Sequence, residues 1–331
     1  MAQTVSPRAP RADAVRAGSA PGRKVPSTAG APAPHLLRRR RLFWPFVLPA
    51  LALYVVFLVG PAIATLVLSF TRWSGAGAAP EFTGFDQYRQ MFASESFGYA
   101  FGNTLVYIVV GGVGTFLFAF LFTMVLRNMR AGKTIRAILF FPNIVAPVAL
   151  GMFFGFVFKY NPSKQGLANF VAQALGLPAA KFLQPENVTW VVIGALIWAS
   201  AGFYITILMA AVDRIPPYLY EDAELCGASP WQQFRAVTLP LTWDVVGIAG
   251  VLWTIGAIKI FEMVFVLAGP GTYLPPNRAW TLAIYVYDRS FGAQGTAEYG
   301  VACACAVVMI VLVTVLVLAL RRVMRRERLE Y

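Results

Sequence analysis

The chain has 331 residues, of which 58% are hydrophobic and only 13% charged. Soluble domains average nearer ~45–50% apolar and ~25% charged, so a soluble enzyme, a disordered protein and a soluble nucleic-acid binder are all poor fits. Yet 28 Lys and Arg stand against 15 Asp and Glu, a formal charge of +13. An oily chain with a large positive excess points to a membrane, and the placement of that excess becomes the first question.

Residues 1–41, rich in Ala, Pro, Arg and Ser, predict a disordered basic tail that ends in the run Arg38 to Arg41. This tail is too long for the n-region of a cleaved signal peptide. The apolar stretch after it exceeds the ~7–15 residues of an h-region, so the first span is expected to stay attached.

A charge in hydrocarbon costs several kcal/mol, so uncharged stretches mark the spans. Arg41 to Arg72 encloses 30 uncharged residues, Glu95 to Arg127 31, Arg136 to Lys159 22, Glu186 to Asp213 26 and Glu298 to Arg321 22. Each exceeds the roughly 20 residues that cross a ~30 Å core as a helix. A sixth apolar segment is interrupted by Lys259 and Glu262. The reading is an all-α integral membrane protein with six transmembrane helices at about 42–70, 101–126, 136–158, 190–212, 241–268 and 299–320. The alternation of a β-barrel strand is missing.

Both ends of a six-span chain lie on one side. Twenty Lys and Arg fall in the two tails and the even-numbered connections, and seven in the odd-numbered ones. The excess of basic residues on cytoplasmic segments places both termini, including the basic tail 321–331, in the cytoplasm. The whole +13 is then an orientation signal and calls for no nucleic-acid partner.

Catalytic constellations are missing. His35 is the only histidine and lies in the tail, which removes His-based metal sites and triads. Cys226, Cys303 and Cys305 have neither zinc nor redox spacing. Gly132-Lys133-Thr134 lacks the glycine five residues earlier that a phosphate-binding loop requires; Arg127 stands there. The chain reads as a non-enzyme that binds no cofactor or metal.

The connection 213–240 between the fourth and fifth spans is the informative one. Pro217 suits a first helical turn with acids crowding the same end, and Gly227 is placed to end that helix in a left-handed conformation. Ser229 caps a second helix with Pro230 in its first turn and Gln232 closing a capping box, and Leu239-Pro240 is expected to end it. Asp213, Glu221, Asp222 and Glu224 against Arg214 and Arg235 make this the one expected cytoplasmic segment with a net negative charge. Orientation does not explain it; a docking element or an ordinary amphipathic loop would.

The run Glu221-x-Ala223-x-x-x-Gly227-Ala228-Ser229, followed by Trp231, Phe234 and Thr238-Leu239-Pro240, resembles the Glu-Ala-Ala…Gly signature of binding-protein-dependent ABC importer permeases. Asp222 and Cys226 depart from the usual alanine and aspartate of that pattern. Further segments are similar to the carbohydrate (maltose-type) branch over nearly all of 42–326. They are Phe82 to Tyr88, Asn103-Thr104, Phe141 to Pro147, Trp198, Gly202 and Phe203, and Glu298-Tyr299-Gly300.

The resemblance implies a coupling helix at Glu221, Ala223, Gly227, Ala228 and Ser229, seated on an ATPase subunit. It implies a second permease subunit, two ATP-binding subunits that carry ATP and Mg, an extracytoplasmic solute-binding protein and a sugar-like substrate, all at the cell membrane. The alternative is a self-contained secondary transporter or channel, which would want more intramembrane acids or a relay histidine.

An ionisable residue inside a membrane is a functional hypothesis by default. Lys259 lies about five residues past the middle of the fifth span, roughly 7 Å toward the outer face, with Glu262 three residues on, on the same helical face. The pair either neutralises itself or lines a substrate path. In the carbohydrate family the position of Lys259 often holds an amide that lines the sugar site. The lysine suggests a negatively charged substrate or an internal ion pair. Ser200 and Tyr204, at i and i+4 on the fourth span, are expected to offer hydroxyls and a stacking ring to the same path. Gly151-x-x-x-Gly155 suits close helix packing.

Overall fold

The computed structural model describes residues 34–75, 77–127, 129, 131–160, 165–269, 274–292 and 297–324, with side chains from 44 onward. Contacts divide the chain into Met1–Leu58 and Val59–Tyr331. In the first unit the described residues form helix α1 (Pro34–Tyr54), which continues through Pro45 and Pro49. It starts at Pro34 rather than at 42, because proline suits a first turn and nothing in the sequence from Leu36 to Arg41 breaks a helix. The rest of the expected disordered tail lies outside the described residues.

The second unit opens with α2 (Gly60–Leu68) and a two-residue antiparallel pair, β1 (Thr71–Arg72) and β2 (Glu81–Phe82), with Thr71 opposite Phe82. Then come α3 (Asp86–Ala93), α4 (Glu95–Val106), a π-helical turn over Tyr107–Gly111 and α5 (Gly112–Arg127). Next are α6 (Gly132–Ile144), α7 (Pro147–Val157), α8 (Leu167–Ala174) and α9 (Val188–Val212). The α9–α13 connection holds α10 (Tyr218–Leu225), α11 (Pro230–Gln233), a π-helical turn over Phe234–Thr238 and α12 (Leu239–Leu241). Helices α13 (Trp243–Ile258), α14 (Glu262–Ala268), α15 (Leu282–Phe291) and α16 (Tyr299–Met324) complete the unit.

Four of these stretches are long and apolar enough to cross a membrane: Trp44–Leu68, Glu95–Arg127, Val188–Val212 and Tyr299–Met324. Two bent pairs raise the number to six if each counts as one span. The sequence predicts one straight helix over 136–158; instead α6 and α7 meet at 96°. Val145 and Ala146 are extended at the corner, as the residue before a proline prefers, and Pro147 has no N–H to continue the ladder. The second bend, 75°, lies between Leu241 and Trp243. The helix therefore runs past Leu239-Pro240, where the sequence ends it. Pro240 sits in the first turn of α12, and the wider π turn before it relieves the clash with the preceding carbonyl.

Helix α9 is the axis of the packing. Its first turns join a core cluster with Met91, Tyr107, Trp280 and Tyr285, and its last turns join a second with Leu126, Ala249 and Trp253. Close approach is set by glycine: a Cβ on Gly202 would overlap the Leu139 carbonyl, so α6 lies directly on α9. Gly111 and Gly112 likewise make room for the indole of Trp253, whose Nε1 donates to the Ile108 carbonyl at 2.9 Å.

Polar side chains pin the end of the bundle at which α9 begins. Asn103 Nδ2 donates to the carbonyls of Arg278 at 2.6 Å and Trp280 at 3.0 Å. The Thr104 hydroxyl accepts from the Leu282 N–H at 3.1 Å. Arg289 Nη1 meets Glu298 Oε2 at 2.8 Å, and Gln90 Nε2 donates to Glu298 Oε1 at 2.9 Å. A Cβ on Gly300 would overlap the Thr71 carbonyl. Of the family-like residues outside the α9–α13 connection, Asn103, Thr104, Glu298 and Gly300 are fasteners of this end.

Candidate functional site

Helices α10 and α11 form the turn that the sequence describes locally. Gly227 has φ +75°, a left-handed value at which an L side chain is strained, and it closes α10 after the Cys226 cap. Ser229 Oγ accepts from the Gln232 N–H, and Gln232 Oε1 accepts from the Ser229 N–H at 2.7 Å. Ala223 and Ala228 are half-buried, and the Ala228 N–H donates to the Ala223 carbonyl at 2.9 Å, which folds the turn onto the helix.

The sequence does not reveal how this unit is held. Tyr220 is buried: its hydroxyl bonds the Thr238 hydroxyl at 3.0 Å, and the Arg127 guanidinium lies 3.1 Å from its ring centroid. Arg136 meets Asp213 at 3.8 Å beside it. Glu221, Asp222 and Glu224 are exposed, and among the described residues none has an ion pair or side-chain hydrogen bond. Leu225 is 87% exposed and Trp231 61%. An acidic face with two large uncovered apolar groups therefore sits on a well-anchored base.

The fifth apolar segment is not one helix. Helix α13 ends at Ile258 with Lys259 as its cap, Phe261 has φ −131° and ψ −69°, and α14 begins at Glu262. Lys259 and Glu262 therefore do not share a helical face as the sequence suggests. No ion pair joins them, and both side chains are exposed. Each charge instead sits at the helix end that favours it, the cation at a C-terminus and the acid at an N-terminus. The Ile260 carbonyl, freed by the break, accepts from the Thr281 hydroxyl at 2.9 Å. A broken apolar helix with two charges that are unpaired among the described residues is an arrangement that can hold a polar solute at membrane depth.

The remaining two predicted path residues are not brought together with these charges. Ser200 is half-buried, and its hydroxyl donates to the Leu196 carbonyl at 2.5 Å, within its own helix. Tyr204 is 5% exposed, and its ring packs against Phe116, Phe203 and Trp253 at centroid distances of 5.2, 5.2 and 5.9 Å. It is a core ring here rather than a free stacking surface. Apolar neighbours on α5 and α13, invisible in a local pattern, decide this.

A cavity of about 910 Å³ opens between α7 and α14 and is lined in part by Gly155, Phe156, Lys159, Lys181 and Gln184. The sequence reads Gly151-x-x-x-Gly155 as a close-packing pair, but the two glycines do different things. A Cβ at Gly151 would lie 3.0 Å from Val266 Cβ, whereas one at Gly155 would meet nothing within 4 Å.

Comparison with known proteins adds the family. Residues 116–329 match the family described as binding-protein-dependent transport system inner membrane component. The lactose transport system permease protein LacF of Rhizobium radiobacter is 28% identical over 253 residues, 75% of this chain and 83% of that protein. The crystal structure of a bacterial ABC transporter involved in the import of the acidic polysaccharide alginate is 26% identical with a TM-score of 0.74. That match covers 88% of this chain and 98% of the other. The same kind of transporter in complex with an alginate pentasaccharide-bound periplasmic protein matches at 25% identity and a TM-score of 0.73, over 89% and 97%. The chain is a multi-pass protein of the cell membrane and belongs to the binding-protein-dependent transport system inner membrane components.

Proposed function

We propose that the chain is one of two permease subunits of an ABC importer that moves a sugar or related polyol into the cell, driven by ATP hydrolysis on two separate subunits. The bent pairs complete six spans, both termini lie in the cytoplasm, and α10–α11 is the coupling element on the cytoplasmic side. The observation that carries this reading is the exposed acidic face of α10–α11 on its Tyr220–Thr238 and Arg127 anchors, in a chain of this family. A surface patch of acids, unpaired among the described residues, around uncovered Leu225 fits a partner with basic and apolar groups.

Glu221, Ala223, Gly227, Ala228 and Ser229 give the element its shape and charge. Closure of the ATPase subunits moves it, and the spans shift between inward- and outward-facing packings. That shift is limited to the difference in contact energy which the element makes in the two states. Lys259 and Glu262 belong to the path, whereas Ser200 and Tyr204, engaged within the packed helices, do not line it. The lactose and alginate relatives support a saccharide cargo, and the pentasaccharide-bound periplasmic protein supports delivery by a solute-binding protein.

The test is Gly227→Val in the reconstituted complex. A β-branched residue at φ +75° is a genuine outlier, costing about 1–2 kcal/mol locally. Nothing lies within 4 Å of the position, so packing is spared. Assembly is expected to survive while binding-protein-stimulated uptake falls by about tenfold or more. Normal uptake would remove the coupling role.

A further inference from the structure

The cavity between α7 and α14 has an uneven charge. Lys159 and Lys181 both line it, and no Asp or Glu does among the described residues. Neither lysine has a carboxylate within 4.0 Å among those residues, and nearby Glu186 is engaged by Arg278 at 3.9 Å. Tyr160 and Gln184 add a phenol and an amide, and Lys181 Nζ lies 5.7 Å from the Tyr160 ring centroid. Met152, Phe156 and Phe265 supply apolar walls. A concave site lined by one sign of charge focuses its field and concentrates the opposite ion.

The volume, about 910 Å³, lies at the upper part of the ~300–1,000 Å³ range of solute sites. Gly155 keeps the space open by carrying no side chain, while Gly151, one turn earlier, holds α7 against α14. Aromatic faces, an amide and two ammonium groups together suit a ring with hydroxyls and a carboxylate.

We propose that this cavity receives an anionic saccharide, a short sugar chain bearing carboxylates, on its way into the path. The proposal rests on the importer reading above, which puts the cavity at the extracytoplasmic mouth. It narrows the cargo from sugars in general to acidic ones.

The test uses the complete complex in proteoliposomes, with its binding protein outside and ATP inside. Labelled digalacturonate and trigalacturonate are compared with maltose and lactose. Uptake of the galacturonates is expected, and Lys159→Gln with Lys181→Gln should raise KM for them about tenfold with kcat unchanged. That difference should shrink as salt rises, because the lysines are exposed. Gly155→Leu, which narrows the cavity without touching the α7–α14 contact, should lower uptake while the complex still assembles.

Uptake confined to neutral saccharides would overturn the acidic cargo and leave the importer reading standing. An equal loss for every saccharide in the glutamine pair would overturn the charge role. Weaker docking of the unloaded binding protein in that pair would assign the lysines to the protein partner instead. Absence of any saccharide uptake would overturn both readings.

Discussion

The two ends of α9 use their polar side chains in opposite ways. Where α9 begins, Asn103, Thr104, Gln90, Arg289 and Glu298 are all tied to backbone or side chains of the same molecule. Where α9 ends, Tyr220 and Thr238 are paired and buried, but Glu221, Asp222 and Glu224 stand exposed with no such partner among the described residues. A buried polar group without a partner costs free energy, which the bond between the buried Thr104 hydroxyl and the Leu282 N–H avoids. An exposed acid carries no such debt and stays available to another molecule. The first end is a fastened rim and the second a presented face, and substitutions at each should have different signatures.

The largest effect belongs to neither end but to the axis between them. Gly202→Val would drive a side chain into the Leu139 backbone; overpacking of this kind costs about 1–3 kcal/mol or more, and backbone cannot rotate away. The expected outcome is a sharp drop in recovered folded protein by fluorescence-detected size exclusion. Normal recovery would show that α6 and α9 do not pack as described.

Asn103→Ala comes next and tests the rim. It leaves the carbonyls of Arg278 and Trp280 without their donor, for about 2 kcal/mol. Thermal unfolding should shift down and uptake should fall with it, in proportion. At the other end, Tyr220→Phe removes the bond to Thr238 but keeps the ring under Arg127. A loss of about 1 kcal/mol should appear, with uptake falling further than stability because the anchored unit loosens. Equal, proportional losses in both variants would erase the distinction between rim and face.

How much of this was legible in the sequence depended on the range of the interaction. The turn of α10–α11 is written locally, in Pro217, Gly227 and the Ser229–Gln232 box, so a linear reading finds it. The corner at Val145–Ala146 is also local, since Pro147 dictates it, but hydropathy alone runs straight through it. The break after Ile258 was hidden because Lys259 and Glu262 look like an i, i+3 pair on a continuous helix. What caps the freed Ile260 carbonyl is Thr281, 21 residues away. The environment of Tyr204 is equally non-local, being set by Phe116 and Trp253. The cavity depends on three separated segments, and Gly155, which the sequence reads as half of a packing pair, lines it instead.

The smallest stability effect is the sharpest test of the comparison. Glu221→Gln, Asp222→Asn and Glu224→Gln made together should change unfolding by no more than about 0.5 kcal/mol. Glu221 lies in the first turn of α10, where a negative charge favours the helix, and Glu224 lies near its end, where the same charge opposes it. The two terms offset each other, and no ion pair among the described residues is broken. Affinity for the proposed ATPase subunits should nevertheless fall, more at low than at high salt, since exposed charges act over a Debye length of about 10 Å at 0.1 M. A variant as unstable as Asn103→Ala would mean that these acids hold this chain together, and the face would then be one more part of the scaffold.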